Sequence, residues 1–341
     1  MKKTKKIFSL HLNSNKPDNF EKFSKSFLQN CSDPNSLEII VNIDQGDDLM
    51  KSSIKKINEE YNNTVKYIET DLIKNFNDAW KPINLLLKET SGTVKIVSCL
   101  SDDITVETKN WDQYFLNYLT LYEGDEIFRI RCSKNKFEIY DNLWKCAYKP
   151  DFSFYTKKWI DIVGLWNPCI GPDTFHETVS YHLNMYGLDF DRSIVDDNVK
   201  FKGEETLTGL NLTDRIKRAK LGYMSFSELI SYKIQKKSSK AAYKLVREIS
   251  KKNIKLIKLK YLNHVLQNFF KKLRFFHYRG SKSYLTSNIF FNIIFIAWCK
   301  INIFDKYIEI IIFYLEKKNI LKKIITNKSQ YKKLIKALNA K

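Results

Sequence analysis

Val94-Lys95-Ile96-Val97-Ser98-Cys99-Leu100-Ser101-Asp102-Asp103 is the stretch on which the fold turns. A short apolar run ends on two adjacent carboxylates. Its length and β-branched content are those of a buried strand. Two neighbouring carboxylates at such a strand end are costly unless positive charge sits between or before them. A divalent cation carrying a diphosphate meets that need, because hard oxygen ligands suit Mg or Mn. In open α/β sheets, ligands gather at the carboxyl ends of strands, where this pair lies. Taken alone, the tripeptide reads more readily as a solvated turn, so its surroundings carry the weight.

Upstream, the chain alternates strand and helix signals. Ile7–Leu12 predicts a first strand, and Asn13–Asp18 a polar turn with Asp18 as a candidate N-cap. Phe20, Phe23, Phe27 and Leu28 recur at helical spacing. Leu37–Ile43 predicts a second strand that closes on Asp44-Gln45-Gly46-Asp47-Asp48. Met50, Ile54 and Ile57 mark a helix, Thr64–Ile68 a short strand, and Ala79–Glu89 a helix ended by Gly92. This β-α-β-α-β-α-β order predicts a mostly parallel sheet covered on both faces. Downstream, Ile127–Cys132 and Phe137–Tyr140 look like paired strands, and Lys157–Val163 and Asp173–Tyr186 like helices.

Charge divides the chain near residue 210. Residues 215–341 hold 31 Lys/Arg against 5 Asp/Glu, whereas residues 1–214 hold 27 against 33. The expected organisation is a domain over 1–210 and a basic α-helical C-terminal region over 211–341. Helical spacing there is carried by Leu229, Ile230 and Ile234, by Leu256, Leu259 and Leu262, and by Leu266, Phe269 and Phe270. The apolar runs Ile289–Cys299 and Tyr307–Leu315 are shorter than the roughly 20 residues a membrane span needs. The six Cys show no C-x-x-C spacing, which excludes a zinc or redox signature of that kind and fits free thiols. Ile7–Leu12 is too short and polar for a signal-peptide core, so the expected location is the cytoplasm.

These landmarks, in order, resemble a family 2-type glycosyltransferase of the GT-A fold over about 60% of the chain. The resemblance is carried by Ser14-Asn15-Lys16-Pro17 after the first strand and by Glu38–Ile43 closing on Asp44. Asn84 and Gly92 follow, ahead of Ser101-Asp102-Asp103, which stands where the family has its Asp-x-Asp-type metal site. Next comes Ile104 through Trp111-Asp112, with Asn110 where the family carries Gly. Phe152-Ser153-Phe154, Trp159 and Gly164 are similar to the acceptor-side segment. Pro172-Asp173-Thr174-Phe175-His176-Glu177 is similar to the helix start that holds the catalytic base. There are two departures. Lys16 replaces an Arg, and Asp196-Asp197-Asn198 has no His where many relatives place a metal ligand.

The resemblance implies a GT-A-like mostly parallel sheet flanked by helices. It also implies metal-assisted, inverting transfer from a nucleotide-diphosphate sugar to a glycan or lipid-linked acceptor. Asp103 is then the direct ligand of Mg or Mn, and Asp102 holds the donor ribose or a metal-bound water. Asp44 contacts the donor nucleoside, Lys16 a phosphate, and Ser14 and Asn84 the donor pocket. Asp173 is the expected base, with Glu177 four residues on as the second candidate. Plainer readings stand beside each: turn or cap roles for Ser14, Asp44, Asn84, Asp102 and Asp173, and a solvated side chain for Lys16. His176 and His182 read as polar helix residues, and Trp111, Trp159 and Trp166 as core.

The basic region interleaves Lys251, Lys252, Lys255, Lys258 and Lys260 with Ile254, Leu256, Ile257 and Leu259. Such a pattern suits an anionic membrane surface, a plain helical extension of a Lys-rich chain, or nucleic acid. The chain has 50 Lys and only 8 Arg, which weakens base reading. Two further readings differ in class. A nucleotidyltransferase would carry a Gly-rich turn after the first strand, and Asn13–Asp18 has no Gly. A catalytically inactive sheet domain would serve as a membrane or nucleic-acid adaptor.

Overall fold

Phe8, Leu10 and Leu12 alternate with Ser9, His11 and Asn13, the period of a strand, and form β1 (Phe8–Asn13). The computed structural model describes residues 5–73, 78–132, 152–170, 174–203 and 224–273. After β1 the chain runs through α1 (Pro17–Gln29), β2 (Leu37–Asp44), α2 (Asp48–Glu60) and β3 (Val65–Thr70). Two short helices, α3 (Trp80–Ile83) and α4 (Leu86–Glu89), lead to β4 (Ile96–Cys99). Then come β5 (Ile104–Val106), α5 (Trp111–Tyr118), β6 (Arg129–Cys132) and β7 (Phe152–Thr156). The order continues with α6 (Lys157–Val163), α7 (Phe175–Asn184), β8 (Ser193–Asp196) and β9 (Phe201–Gly203). It closes with α8 (Tyr232–Ser250) and α9 (Tyr261–Leu273).

Seven strands form one mixed sheet in the order β3-β2-β1-β4-β7-β6-β8, and β5 pairs with β9 separately. Parallel pairing joins β3 to β2, β2 to β1, β1 to β4 and β6 to β8. Only β7 runs against its neighbours, β4 and β6. The expected mostly parallel sheet flanked by helices is therefore what forms. The strand order reverses beside β1: β2 and β3 build outward on one side, and β4 is laid down on the other. In open α/β sheets such a reversal marks the crevice where ligands bind, here at the carboxyl ends of β1 and β4.

One face of the sheet is apolar. Phe8, Leu10, Leu12, Ile39, Val41 and Ile43 belong to a single buried core with Phe20, Phe23 and Phe27 of α1 and Met50, Ile54 and Ile57 of α2. Trp111 and Phe115 of α5 complete it, Trp111 lying 5.1 Å from Phe8 and 5.5 Å from Phe27 by ring centroids. The other face is also covered, but with a polar layer. Glu38 is fully buried there and accepts from Lys66 Nζ at 2.8 Å and from the Ser91 amide at 2.9 Å. Burial pushes this carboxyl up, yet Lys66 and Ser91 together hold it below the usual range.

Three local expectations change. The N-cap of α1 is Lys16, not Asp18; Pro17 opens the helix and Asp18 sits in its first turn, where its charge favours the helix dipole. The helix expected over 79–89 is two pieces. Leu85 N–H reaches back three residues to the Pro82 carbonyl (2.8 Å), and Asn84 turns its side chain to another segment. Leu256 and Leu259 are not helical, because Ile254 and Leu256 alternate with lysines at a period of two. Phe137–Tyr140, Phe270's side chain, Ile289–Cys299 and Tyr307–Leu315 lie outside the described residues.

Asn110, just before α5, has φ +53°. Asn is the residue that tolerates this left-handed region best after Gly, which accounts for its standing in a Gly position.

The chain packs as two compact units: Met1–Glu204 with Lys233–Lys258, and Glu205–Tyr232 with Leu259–Lys341. In the first, α8 docks on α7 through Gln235 to His182 (2.9 Å) and Ser238 to Thr178 (2.6 Å). In the second, α9 turns His264 and Asn268 to the Ile230 carbonyl and exposes Leu262, Leu266 and Phe269. Among the described residues no helix is long and apolar enough to cross a membrane.

Candidate functional site

The crevice is assembled by the ladder itself. Leu100 N–H donates to the His11 carbonyl at 2.9 Å, which ties the end of β4 to the end of β1. Ser14 N–H donates to the Asn42 carbonyl at 3.0 Å, which ties β1 to β2. The chain then turns, and the Ser14 hydroxyl donates to Asp102 Oδ2 at 2.6 Å across the crevice. The same hydroxyl oxygen accepts from the Lys16 amide at 3.3 Å. Residues 88 apart in sequence thus meet at one strand-end point.

Burial pushes the Asp102 carboxyl above its ordinary value. The Ser14 hydrogen bond opposes that rise, the charge of Asp103 adds to it, and the charge of Lys16 opposes it. Asp103 is partly exposed beside it, and Lys16 is exposed at the rim. Asp44 is partly exposed at the end of β2, opposite Thr70 of β3. Between them Thr70 Oγ1 donates to Asn42 Oδ1 at 2.8 Å. Ser14, Lys16, Asp44, Asp102 and Asp103 therefore lie on the carboxyl edge of the parallel strands.

The set made by Ser14, Asp102 and Asp103 fits a hard divalent cation. It is all oxygen, it carries two carboxylates, and one of them is held above its usual pKa by burial and by the other's charge. A dication reverses that field. Among the described residues no group of three or more His, Cys, Asp or Glu side chains is placed to hold a metal ion. The pair would therefore share its cation with phosphate and water oxygens, the usual habit of Mg. Asp196 supplies no further ligand. Its Oδ1 accepts from the amides of Asn198 and Val199 at 2.8 Å, and its Oδ2 from the Tyr118 hydroxyl at 2.6 Å. The carboxylate is spent on the turn between β8 and β9.

Other expected site residues fall elsewhere. Asn84 has its whole amide engaged. Oδ1 accepts from the amides of Trp166 (2.8 Å) and Asn167 (3.1 Å), and Nδ2 donates to the carbonyls of Trp80 (3.1 Å) and Asn167 (2.7 Å). It clamps a loop rather than lining the strand ends. Glu177 is 1% exposed and pairs with Arg129 Nη1 at 2.6 Å, inside the protein. A carboxylate held this way is a counter-ion, and its position does not carry the proton-accepting role drawn from the sequence. Asp173 lies outside the described residues. Trp111, Trp159 and Trp166 are buried, as expected of core residues.

Two histidines of the same unit are buried. Trp166 Nε1 donates to His11 Nδ1 at 2.8 Å, and Trp159 Nε1 donates to His176 Nδ1 at 3.2 Å. Indole only donates, so neither Nδ1 carries a proton. Burial lowers both rings to about 3, with the charge of Arg129 adding to the effect at His176. The unfolded chain protonates each near 6.5, so it binds more protons than the folded chain between about 6.5 and 3. Stability from both rings is fully present above that window and falls as pH drops through it, by up to about 1.4 kcal/mol per pH unit for each ring. Urea midpoints measured from pH 7.5 to 4.5 should show this slope, and His11→Asn and His176→Asn should each remove about one proton from it. Midpoints that stay level from pH 6.5 to 5 would contradict the assignment. Sequence reading passed over His11. Its only signal was a His on a strand that otherwise alternates apolar and small residues.

No protein-family model matches the chain, and no curated protein matches it. Among solved structures it is similar to the mannosyltransferase PcManGT from Pyrobaculum calidifontis in complex with GDP-Man and Mn2+, with a TM-score of 0.48 and 14% identity over 80% of this chain and 81% of that one. It is similar to residues 1–349 of S. aureus TarS in complex with UDP, with a TM-score of 0.44 and 12% identity over 72% of each chain. It is also similar to glucosyl-3-phosphoglycerate synthase from Mycobacterium tuberculosis in complex with Mn2+, UDP and glucosyl-3-phosphoglycerate, with a TM-score of 0.40 and 14% identity over 66% of this chain and 79% of that one.

Proposed function

We propose that this chain is a glycosyltransferase that uses a nucleotide-diphosphate sugar and a divalent cation, Mg or Mn. The observation that carries the reading is the Ser14–Asp102 bond, which sets an acidic pair at the β1/β4 crevice. The sequence resemblance supports the same reading, since Ser14, Asp44, Asp102 and Asp103 are residues on which it rests.

The cation, when bound, offsets charge that develops on the departing diphosphate. Asp103 would hold it, and Asp102 would hold the donor ribose or a water beside the cation. Ser14 aims the Asp102 carboxylate and opposes the rise of its pKa. Lys16 adds positive charge at the rim for a phosphate, and Asp44 takes the nucleoside side of the donor. The acceptor hydroxyl oxygen bonds to the sugar's anomeric carbon as the bond from that carbon to the diphosphate oxygen breaks. The hydroxyl proton passes to a carboxylate, assigned to Asp173 by its place in the sequence, and the nucleoside diphosphate leaves. Attack from the opposite side inverts the anomeric centre. The acceptor is a glycan or a lipid-linked glycan.

A thermal-shift series of UDP- and GDP-sugars, with and without Mn2+, tests this. A ligand that binds only the folded chain raises Tm by mass action. The expected result is a rise with donor and Mn2+ together that exceeds the rise with either alone. No rise with any donor in the presence of Mn2+ or Mg2+ would reject the proposal.

A further inference from the structure

A second cleft lies on the other edge of the sheet, and its chemistry is opposite to that of the crevice. Its volume is about 480 Å³, and Asp125, Lys158, Arg247, Glu248, Lys251 and Lys252 line it. Its place follows from strand direction. β7 is antiparallel to β4, with Thr156 opposite Ile96, and Lys157 N–H donates to the Lys95 carbonyl at 2.7 Å. Lys158 is therefore at the amino end of β4. Arg129 of β6 faces Tyr155, so Asp125, four residues earlier, lies at that same edge. Asp102 and Asp103 follow the carboxyl end of β4. The sheet separates the two sites.

The cleft is a concentration of uncompensated positive charge. Asp125 does not offset it, because Arg192 Nη1 already holds both of its oxygens, at 2.5 and 2.7 Å. Among the described residues Lys158, Arg247, Lys251 and Lys252 make no ion pair. Among the described residues that line the cleft, Glu248 is the one free carboxylate that opposes them. Basic residues in the last turn of α8 suit its dipole, which accounts for Arg247. Lys251 closes the same helix end, its N–H donating to the Arg247 carbonyl at 3.0 Å, whereas Lys158 comes from α6 and has no such cause. Lys251 has φ +52°, a conformation Gly or Asn adopts at lower cost. All four basic side chains are exposed, so water screens part of their repulsion, and an anion among them removes the rest.

We infer that this cleft binds a phosphate-bearing ligand, with the Arg247 guanidinium as the forked donor and the three lysines as point charges. The volume suits a diphosphate or a small phosphorylated headgroup. The shared chemistry is a multiply charged phosphate group, from a free ligand or from an anionic lipid at a membrane surface.

The test uses the full chain in EDTA, so that cation-dependent binding at the crevice is silent. Inorganic pyrophosphate is titrated calorimetrically into wild type, into Arg247→Gln/Lys252→Gln, and into a control, Lys22→Gln/Lys88→Gln, that removes the same charge elsewhere. In parallel, the proteins are sedimented with phosphatidylglycerol/phosphatidylcholine vesicles and with phosphatidylcholine vesicles. The expected result is saturable binding to wild type, weakened about tenfold or more in the cleft variant and unchanged in the control. Binding of pyrophosphate without vesicle capture identifies a free ligand. Capture by anionic vesicles that pyrophosphate reverses identifies a lipid headgroup. Binding to neither, or an equal loss in the control and the cleft variant, overturns the inference. Tm of the cleft variant within a few degrees of wild type shows that loss of binding is not loss of fold.

Discussion

Asp103→Asn is expected to cut metal-dependent release of nucleotide from a sugar donor by about 100- to 1,000-fold, with little change in Tm. The amide keeps the shape of the side chain and removes the charge that would hold the cation. Asp103 is partly exposed, so the fold does not rest on it. Ser14→Ala should act more gently and in a different way. It removes the 2.6 Å bond that opposes the rise of the Asp102 carboxyl, so that carboxyl should rise further. A higher carboxyl pKa means protonation at higher pH, so the acid limb of the activity profile should move up, while activity well above the limb falls less. Full turnover in Asp103→Asn, at any Mn2+ concentration, would remove the acidic pair from the mechanism. An unmoved acid limb in Ser14→Ala would remove Asp102 from the ionised form the mechanism needs.

The largest effect on stability should come from the interior of the same unit. Arg129 and Glu177 are 0% and 1% exposed and lie 2.6 Å apart. Arg129 Nε also donates to Ser193 Oγ at 2.6 Å, which joins β6 to β8 through the pair. Removing one partner leaves the other charge buried, which costs about 3–5 kcal/mol. Glu177→Ala and Arg129→Met should each lower the urea midpoint accordingly. The double variant Arg129→Met/Glu177→Leu should recover much of the loss, because apolar residues of similar volume need no counter-ion. Single variants within about 1 kcal/mol of wild type would show that the pair is not buried as described. Glu177→Gln adds a further reading. If it folds with native stability yet loses turnover about 100-fold, Glu177 is the acceptor base after all.

Much of this architecture was legible because its signals are local. β1 was expected over 7–12 and forms over 8–13, and the helix over 157–163 begins and ends where the sequence puts it. Thr156 caps that helix through the Trp159 amide, and Gly164 ends it at φ +85°. The acidic pair was legible for a related reason, since charge at the end of an apolar run is visible without neighbours. Asn84 and Glu177 were less legible. Each is a polar residue near a motif, and sequence does not say whether such a residue faces a ligand or another part of the chain. Asn84 faces Asn167, 83 positions away, and Glu177 faces Arg129 from 48 positions away. The charge break near 210 is a fact of composition, but α8 packs on α7 through buried Ser238 and Gln235.

By itself, then, the sequence determined the alternation of strands and helices, the mostly parallel sheet and the acidic doublet at a strand end. Those follow from periodicity, propensity and the cost of unpaired charge, which act over a few residues. Only the tertiary structure decided that Ser14 bonds Asp102, that Glu177 is a counter-ion, and that cations from α6 and the end of α8 line one cleft at the sheet's far edge. Each of these depends on which long-range segments come within about 3–4 Å, where hydrogen bonds and ion pairs gain their strength.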